Sequence, residues 1–70
     1  MSVIKVLELV GSSPDGFQAA VEKAVERACE TVDGISGVEI INLTADVNND
    51  KVVQYRANVK VAFAVDPNRE

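Results

Sequence analysis

The sequence predicts an α+β fold with the element order β-α-β-β, in which three antiparallel strands pack against one amphipathic helix. Three observations support this fold class. Every odd position from 53 to 65 is apolar and the even positions from 54 to 60 are polar, which is the period of a strand with one face on a core. Residues 17–32 carry apolar side chains at the i, i+3, i+4 spacing of a helix. Residues 48–50 (Asn-Asn-Asp) are turn formers between two strand-like segments, and they predict a hairpin.

The first two predicted elements are a strand and a helix. Residues 3–10 are rich in β-branched side chains and are followed by Gly11, as expected of a strand. Ser13 is the predicted N-cap of the helix, Pro14 its first residue, and Gly34 the residue just past its C-terminus. The apolar side chains that define the helical face are Phe17, Ala20, Val21, Ala24, Val25, Ala28 and Val32.

The second and third strands predict an oligomer through their length. Residues 38–47 form the second strand, and residues 51–65 form the third, which Asp66-Pro67 ends. At the usual rise per residue the third strand is about 50 Å long, whereas a helix over residues 14–32 is about 28 Å long. A small sheet with a bare apolar face is unstable in water, so another copy of the chain is expected to cover the overhang.

Composition excludes several classes of function. The chain has 70 residues, which predicts a single domain over residues 1–70. Its net charge is −4 and its pI is about 4.6, which argues against a nucleic-acid-binding face. No apolar run has the length of a membrane span and no signal-peptide core is visible, so a cytoplasmic location is expected. Cys29 is the one cysteine; it cannot form an internal disulfide, and we interpret it as a packed thiol at the edge of the helical face.

The residues needed for common catalytic chemistry are missing. The chain contains no histidine, so it has neither a Ser-His nor a Cys-His nucleophile pair. No glycine-rich phosphate-binding motif is present, and a lone cysteine cannot build a tetrahedral zinc site. The sequence therefore predicts a protein that is not an enzyme.

One acidic segment has the beginning of a calcium-loop pattern. Asp46, Asn48 and Asp50 copy the first three alternating ligand positions of an EF-hand loop. Lys51 stands where that loop needs glycine, and Ala57 stands where it needs glutamate, so the segment is not an EF-hand. A hairpin turn is the favoured interpretation, and weak metal binding by Asp46 and Asp50, shared between subunits, stays open.

The chain resembles the dodecin family over nearly its whole length. The segments that carry the resemblance are ELVGSSP (8–14), ETVDGI (30–35), VEI (38–40) and QYRANVKVAFAV (54–65). The resemblance implies a three-stranded sheet wrapped around the helix and a hollow homododecamer. It also implies non-covalent binding of a flavin such as riboflavin or FMN, with the flavin rings stacked between symmetry-related tryptophans, and it implies no catalysis.

Two positions depart from the flavin-binding pattern of that family. Gly37 matches the position of the stacking tryptophan, and the chain contains no tryptophan. Arg56 matches a glutamine that hydrogen-bonds the pyrimidine edge of the flavin, and a guanidinium is a donor only. Asn42 and Asp46 match polar and acidic positions that face the ligand. The chain thus resembles the tryptophan-less branch of the family, for which calcium is the suggested ligand.

Several functional hypotheses follow from the residues and the resemblance together. The first is a shell that binds or stores a small ligand, with flavin binding weakened by Gly37 and Arg56. The alternatives are a shell that binds calcium or another divalent cation, a scaffold particle without a ligand, and a shell that holds flavin through different contacts. The expected partners are other copies of the chain and a small molecule or cation, with neither nucleic acid nor membrane.

Overall fold

A computed structural model describes residues 3–65 and confirms the predicted order of elements. The first strand is followed by one helix and then by a long hairpin. Asp66 and Pro67, predicted to end the third strand, lie outside the described residues. The elements are β1 (Val3–Ser13), α1 (Phe17–Thr31), β2 (Ile35–Asn48) and β3 (Lys51–Val65).

The three strands form one antiparallel sheet with β3 in the centre, in the order β1-β3-β2. Odd-numbered positions of β3 face the helix, and we call this side the inner face; even-numbered positions point away, to the outer face. Ala57 and Val59 on the inner face are fully buried against the helix. The buried positions of the helix are Ala20, Ala24 and Ala28. The amphipathic helix and the one-sided core are therefore as predicted.

Gly11 allows the helix to lie close to β1. A Cβ atom at this position would be 2.1 Å from the carbonyl oxygen of Ala20 and 2.8 Å from the Cβ of Ala24. Real side chains do not approach this closely, so a glycine in β1 and alanines in α1 are both needed for this packing distance.

The helix begins three residues later than the sequence suggests. Ser13 is the buried last residue of β1, and its Oγ accepts a hydrogen bond (3.0 Å) from the backbone N–H of Asp15. That bond stabilises a turn that carries the chain through Pro14 to Gly16, the residue before the helix, whose φ of 135° favours glycine. The prediction of Ser13 as N-cap and Pro14 as first helical residue is therefore wrong.

The buried stripe of the helix is also narrower than expected. Residues spaced by four, from Ala20 to Ala28, face the sheet, while Cys29 is one position further round the helix and is exposed. The prediction of a packed thiol at Cys29 is wrong for the single chain. Gly34 has the left-handed φ expected near a helix end (76°), but it follows the C-cap Val32 by two residues rather than one.

The hairpin between β2 and β3 has a two-residue turn. Asn49 and Asp50 both have positive φ values (53° and 65°), which is the signature of a type I′ turn and matches the twist of the strands. Both strands extend to this turn. β2 covers residues 35–48, so it is longer at both ends than the predicted 38–47. Irregularities in the pairing follow Ile35, Ile40 and Asp46.

The helix leaves much of the inner face uncovered. The helix packs mainly on β1 and β3. Its 15 residues span about 22 Å, whereas the described chain is 54 Å long. On β2 the inner-face side chains Val38, Ile40 and Leu43 are 44–50% exposed. This uncovered apolar surface is the physical basis for predicting an oligomer.

Candidate functional site

The four residues predicted to face a small-molecule ligand, Gly37, Asn42, Asp46 and Arg56, lie on the outer face of the sheet. Their positions are fixed by the antiparallel register, because residues directly opposite each other in neighbouring strands project to the same face. The register pairs that place them are Gly37 with Ala62, Asn42 with Asn58, Asp46 with Gln54, and Thr44 with Arg56.

One chain brings Asp46 and Arg56 together but keeps Gly37 apart from them. Gly37 is opposite Ala62, which is six residues from Arg56 along β3, or roughly 20 Å at the rise of a strand. A small-molecule site that includes both Gly37 and Arg56 therefore requires a second copy of the chain. Asn42 lies between the two ends, opposite Asn58.

Gly37 borders an open pocket of about 420 Å³. Its backbone is outside the left-handed region, and a Cβ atom built on it would meet nothing within 4 Å. The position could therefore hold a side chain, and it is open because the sequence supplies none. Among the described residues the lining is aliphatic with one acidic and one basic side chain, and it contains no aromatic ring: Val6, Gly37, Val38, Glu39, Lys60, Val61 and Ala62.

Asp46 and Arg56 form an ion pair on the outer face. The Nη2 of Arg56 donates a hydrogen bond of 2.8 Å to the Oδ2 of Asp46, and each side chain is about half exposed. This hydrogen bond is the main cause that lowers the pKa of the Asp46 carboxyl; desolvation opposes it, and the charge of Arg56 lowers the pKa further. The same contact raises the pKa of Arg56. The carboxyl of Asp46 therefore has a lower pKa than an isolated aspartate.

This pair changes the interpretation of Arg56 taken from the sequence. Arg56 alone presents only donors, but the structure places a carboxylate acceptor directly beside it. Alternation along β3 predicts that Arg56 faces outward. It does not predict a diagonal contact with Asp46, because that contact depends on the register of β2.

Sequence reasoning missed three further residues of this face. Glu39 and Lys60 lie opposite each other and line the Gly37 pocket. Asn58 has an Oδ1 atom that is buried and without a hydrogen-bond partner among the described residues. Each looks like an ordinary solvated polar position in the alternating strand pattern, so the sequence gives no signal for them.

The single chain offers no complete metal centre within residues 3–65. No group of three or more His, Cys, Asp or Glu side chains is close enough there to hold an ion. Asp46 is engaged by Arg56, and Asp50 lies in the hairpin turn. A cation held by these two carboxylates would need donors from another copy and a displaced guanidinium. Within the same described residues, no helix is long and apolar enough to cross a membrane.

Comparison of the sequence with known proteins places the chain in the dodecin family. Residues 3–66 match the family model for dodecin. The chain is 34% identical to the calcium dodecin of Mycobacterium tuberculosis over 67 residues, which cover 96% of this chain and 94% of the relative. It is 30% identical to the dodecin of Thermus thermophilus over 64 residues, which cover 91% of this chain and 93% of the relative.

Solved structures give the same assignment in three dimensions. Dodecin from Streptomyces coelicolor superposes with a TM-score of 0.89 at 29% identity, with 93% of each chain covered. The M. tuberculosis calcium dodecin, described as a calcium-chelating antigen with a novel calcium-binding site, superposes with a TM-score of 0.80 at 31% identity and 97% coverage of each chain. With agreement in sequence, element order and fold, the chain belongs to the dodecin family.

Proposed function

We propose that this chain assembles into a non-enzymatic homododecameric shell in the cytoplasm, which binds or stores a small ligand and holds flavin only weakly. The observation that supports weak flavin binding is the pocket at Gly37, which is open and, among the described residues, lined without an aromatic ring. The absence of histidine from the sequence supports a role without catalysis.

The case for assembly rests on the uncovered inner face of the sheet. The helix packs mainly on β1 and β3, and Val38, Ile40 and Leu43 on the inner face of β2 stay 44–50% exposed. A chain of 70 residues buries a limited share of its surface, and small domains without disulfides or metals are commonly stabilised by oligomerisation. A second copy that covers this face would convert the exposed side chains into core.

The case for weak flavin binding rests on lost stacking. An aromatic pair is worth about 0.5–1.5 kcal/mol beyond its buried area, and the family arrangement places flavin rings between two tryptophans. With Gly37 at this position both contributions are absent. We therefore expect wild-type protein to bind riboflavin in the high micromolar range or more weakly.

Calcium or another divalent cation is the second candidate ligand. It is favoured by the 34% identity to a protein described as calcium dodecin. Asp46 and Asp50 are the candidate ligands on this chain, and the ion pair of Asp46 with Arg56 opposes that role. Calorimetric titration with CaCl₂ and with riboflavin separates the ligands, and heat from neither would favour a scaffold particle without a ligand.

The decisive experiment restores the aromatic ring. Because Gly37 has an ordinary backbone conformation and free space around its Cβ position, Gly37→Trp is compatible with the fold. Titration of riboflavin followed by its fluorescence should show little quenching with wild-type protein and strong quenching with Gly37→Trp. Gly37→Leu is the matched control, since it fills the same space without a stacking ring.

The outcomes distinguish stacking from simple filling of the pocket. We expect the affinity for riboflavin to rise about tenfold or more for Gly37→Trp, from two stacking contacts of about 1 kcal/mol each, and much less for Gly37→Leu. Equal gains in both variants would show that bulk rather than stacking is missing. Nanomolar binding by wild-type protein would contradict the proposal outright.

A further inference from the structure

We propose that the Asp33–Gly34 link between α1 and β2 is a site of spontaneous covalent modification, at which the backbone rearranges through a succinimide to isoaspartate. The backbone N of Gly34 attacks Cγ of Asp33, the Cγ–OH bond of the protonated carboxyl breaks, and the hydroxyl leaves with the N–H proton as water. Hydrolysis of the ring at the backbone carbonyl of Asp33 adds the water back, so the main chain then runs through Cβ. The site is independent of the ligand that the proposed shell holds.

Two positions of the chain have the sequence that favours this ring closure. Asp followed by Gly is the favourable pair, because glycine has no Cβ atom to shield its backbone N. The pairs are Asp15–Gly16, just before α1, and Asp33–Gly34, after its end. Both glycines have positive φ values (135° and 76°), and a Cβ built on either would meet nothing within 4 Å beyond its chain neighbours. Sequence and local space therefore do not separate the two pairs.

Hydrogen bonds hold the Asp15–Gly16 pair at both ends. The backbone N–H of Asp15 donates to Oγ of the buried Ser13 at 3.0 Å. The carbonyl oxygen of Gly16 accepts the first bond of α1 from the N–H of Ala20 at 3.1 Å. Pro14 also fixes the backbone just before the pair. Ring closure needs rotation about the Cα–C bond of Asp15, and these contacts resist that rotation.

The Asp33–Gly34 pair has no such restraint. The bond from the N–H of Val32 to the carbonyl of Ala28 (3.0 Å) closes α1, and strand pairing resumes at Ile35. Neither Asp33 nor Gly34 takes part in a hydrogen bond or ion pair with another described residue. Both are exposed. A short segment without hydrogen bonds rearranges at low cost, so conformations that can close the ring are visited often.

Conversion at Asp33 would act on the start of β2. The main chain gains one methylene group between α1 and Ile35, and the carboxylate stays on the α-carbon. Just beyond, Oγ of Ser36 donates a hydrogen bond of 3.5 Å to the carbonyl of Ala62, and the register with β3 shifts between Ile35 and Gly37. The added atom thus enters next to the segment that positions Gly37.

Peptide mapping of aged wild-type protein tests the inference. Purified protein is kept for several weeks at neutral pH and physiological temperature, both folded and in urea. Trypsin then places the two Asp-Gly pairs on separate peptides, residues 6–23 and residues 28–51. Isoaspartate changes the retention of a peptide but not its mass, which separates it from deamidation of Asn48 or Asn49 in the second peptide. Endoproteinase Asp-N, which does not cleave before isoaspartate, locates the change at Asp33.

The folded state should select one of the two pairs. We expect isoaspartate to form at Asp33 at least about fivefold faster than at Asp15 in folded protein, and at similar rates in urea. Asp33→Glu should abolish the product at that position, because a glutamate side chain would have to close a larger, six-membered ring. Asp15→Glu is the matched control and should leave conversion at Asp33 unchanged. Sedimentation of each variant verifies that assembly is intact.

Three results would overturn the inference. Equal rates at Asp33 and Asp15 in folded protein would show that hydrogen bonding does not select the site. A rate difference that persists in urea would assign the selection to flanking sequence instead. Product that forms in urea but at neither position of the folded protein would show that the native state protects Asp33. None of these results depends on the riboflavin titration of Gly37→Trp, so this site and the proposed function can fail separately.

Discussion

Replacing Gly11 with alanine should destabilise the chain through one close contact. The added Cβ would lie 2.1 Å from the carbonyl oxygen of Ala20 and 2.8 Å from the backbone N of Ala24. Both partners are backbone atoms of α1, so a side-chain rotation cannot relieve the overlap. The helix must instead move away from β1 by about 1 Å, which loosens the packing of the alanine stripe on the sheet.

The magnitude follows from the cost of overpacking a core. Inserting a methyl group into a close-packed core costs about 1–3 kcal/mol, and the backbone overlap at Gly11 places this variant at the upper end. At about 4–8 °C per kcal/mol for a domain of this size, the melting temperature should fall by at least about 10 °C. Urea and thermal unfolding followed by circular dichroism measure both quantities.

Gly37→Ala is the matched control for Gly11→Ala. The same methyl group is added to a strand glycine, but at a position with nothing within 4 Å. We expect its stability to be unchanged, or to rise by up to about 1 kcal/mol because alanine lowers the entropy of the unfolded chain. Both variants must be compared at one protein concentration, since oligomerisation makes stability depend on it. If Gly11→Ala has the same melting temperature as wild type, the close approach of α1 to β1 does not restrict position 11 to glycine.

Two other predictions concern a predicted subunit contact and the ion pair. Phe63 is half-buried in the single chain, and we expect another copy to cover it. Phe63→Ala should therefore lower the free energy of unfolding of the assembly, measured in urea, by about 3–5 kcal/mol. An intact assembly with unchanged stability would show that Phe63 is not part of a core. Asp46 has a lowered pKa in the folded state, so the stability advantage of wild type over Asp46→Asn should be full above about pH 4 and should disappear as the pH falls through the lowered pKa. Unfolding at pH 7 and pH 3 measures it, and an advantage that grows at pH 3 would contradict the assignment.

The fold could be predicted from the sequence because its signals are periodic. The alternation along β3 and the helical spacing of the alanines each repeat often enough to identify an element and its buried side. The helix start was mispredicted because Ser13-Pro14 has the composition of an N-cap, whereas Ser13 is the end of β1 and its side chain stabilises a turn. Such local choices depend on where the strand ends in the sheet, which the sequence pattern does not specify.

The candidate site could be predicted only in part. The outward orientation of Arg56 follows from alternation, and the importance of Gly37 follows from a glycine within a strand. The Asp46–Arg56 contact and the opposition of Glu39 to Lys60 depend on the β2–β3 register, which irregularities in both strands shift. Because each irregularity moves the pairing by one residue, cross-strand neighbours could not be deduced from positions in the sequence.

The central claim is that this chain forms a twelve-subunit shell, and native mass spectrometry of freshly purified protein tests it most directly. Twelve copies of the 7.5 kDa chain predict a particle of about 90 kDa at micromolar concentration. Any ligand retained on purification would appear in the same spectrum as an added mass. A folded monomer or dimer under those conditions would contradict the proposed assembly and the role assigned to the uncovered inner face of β2.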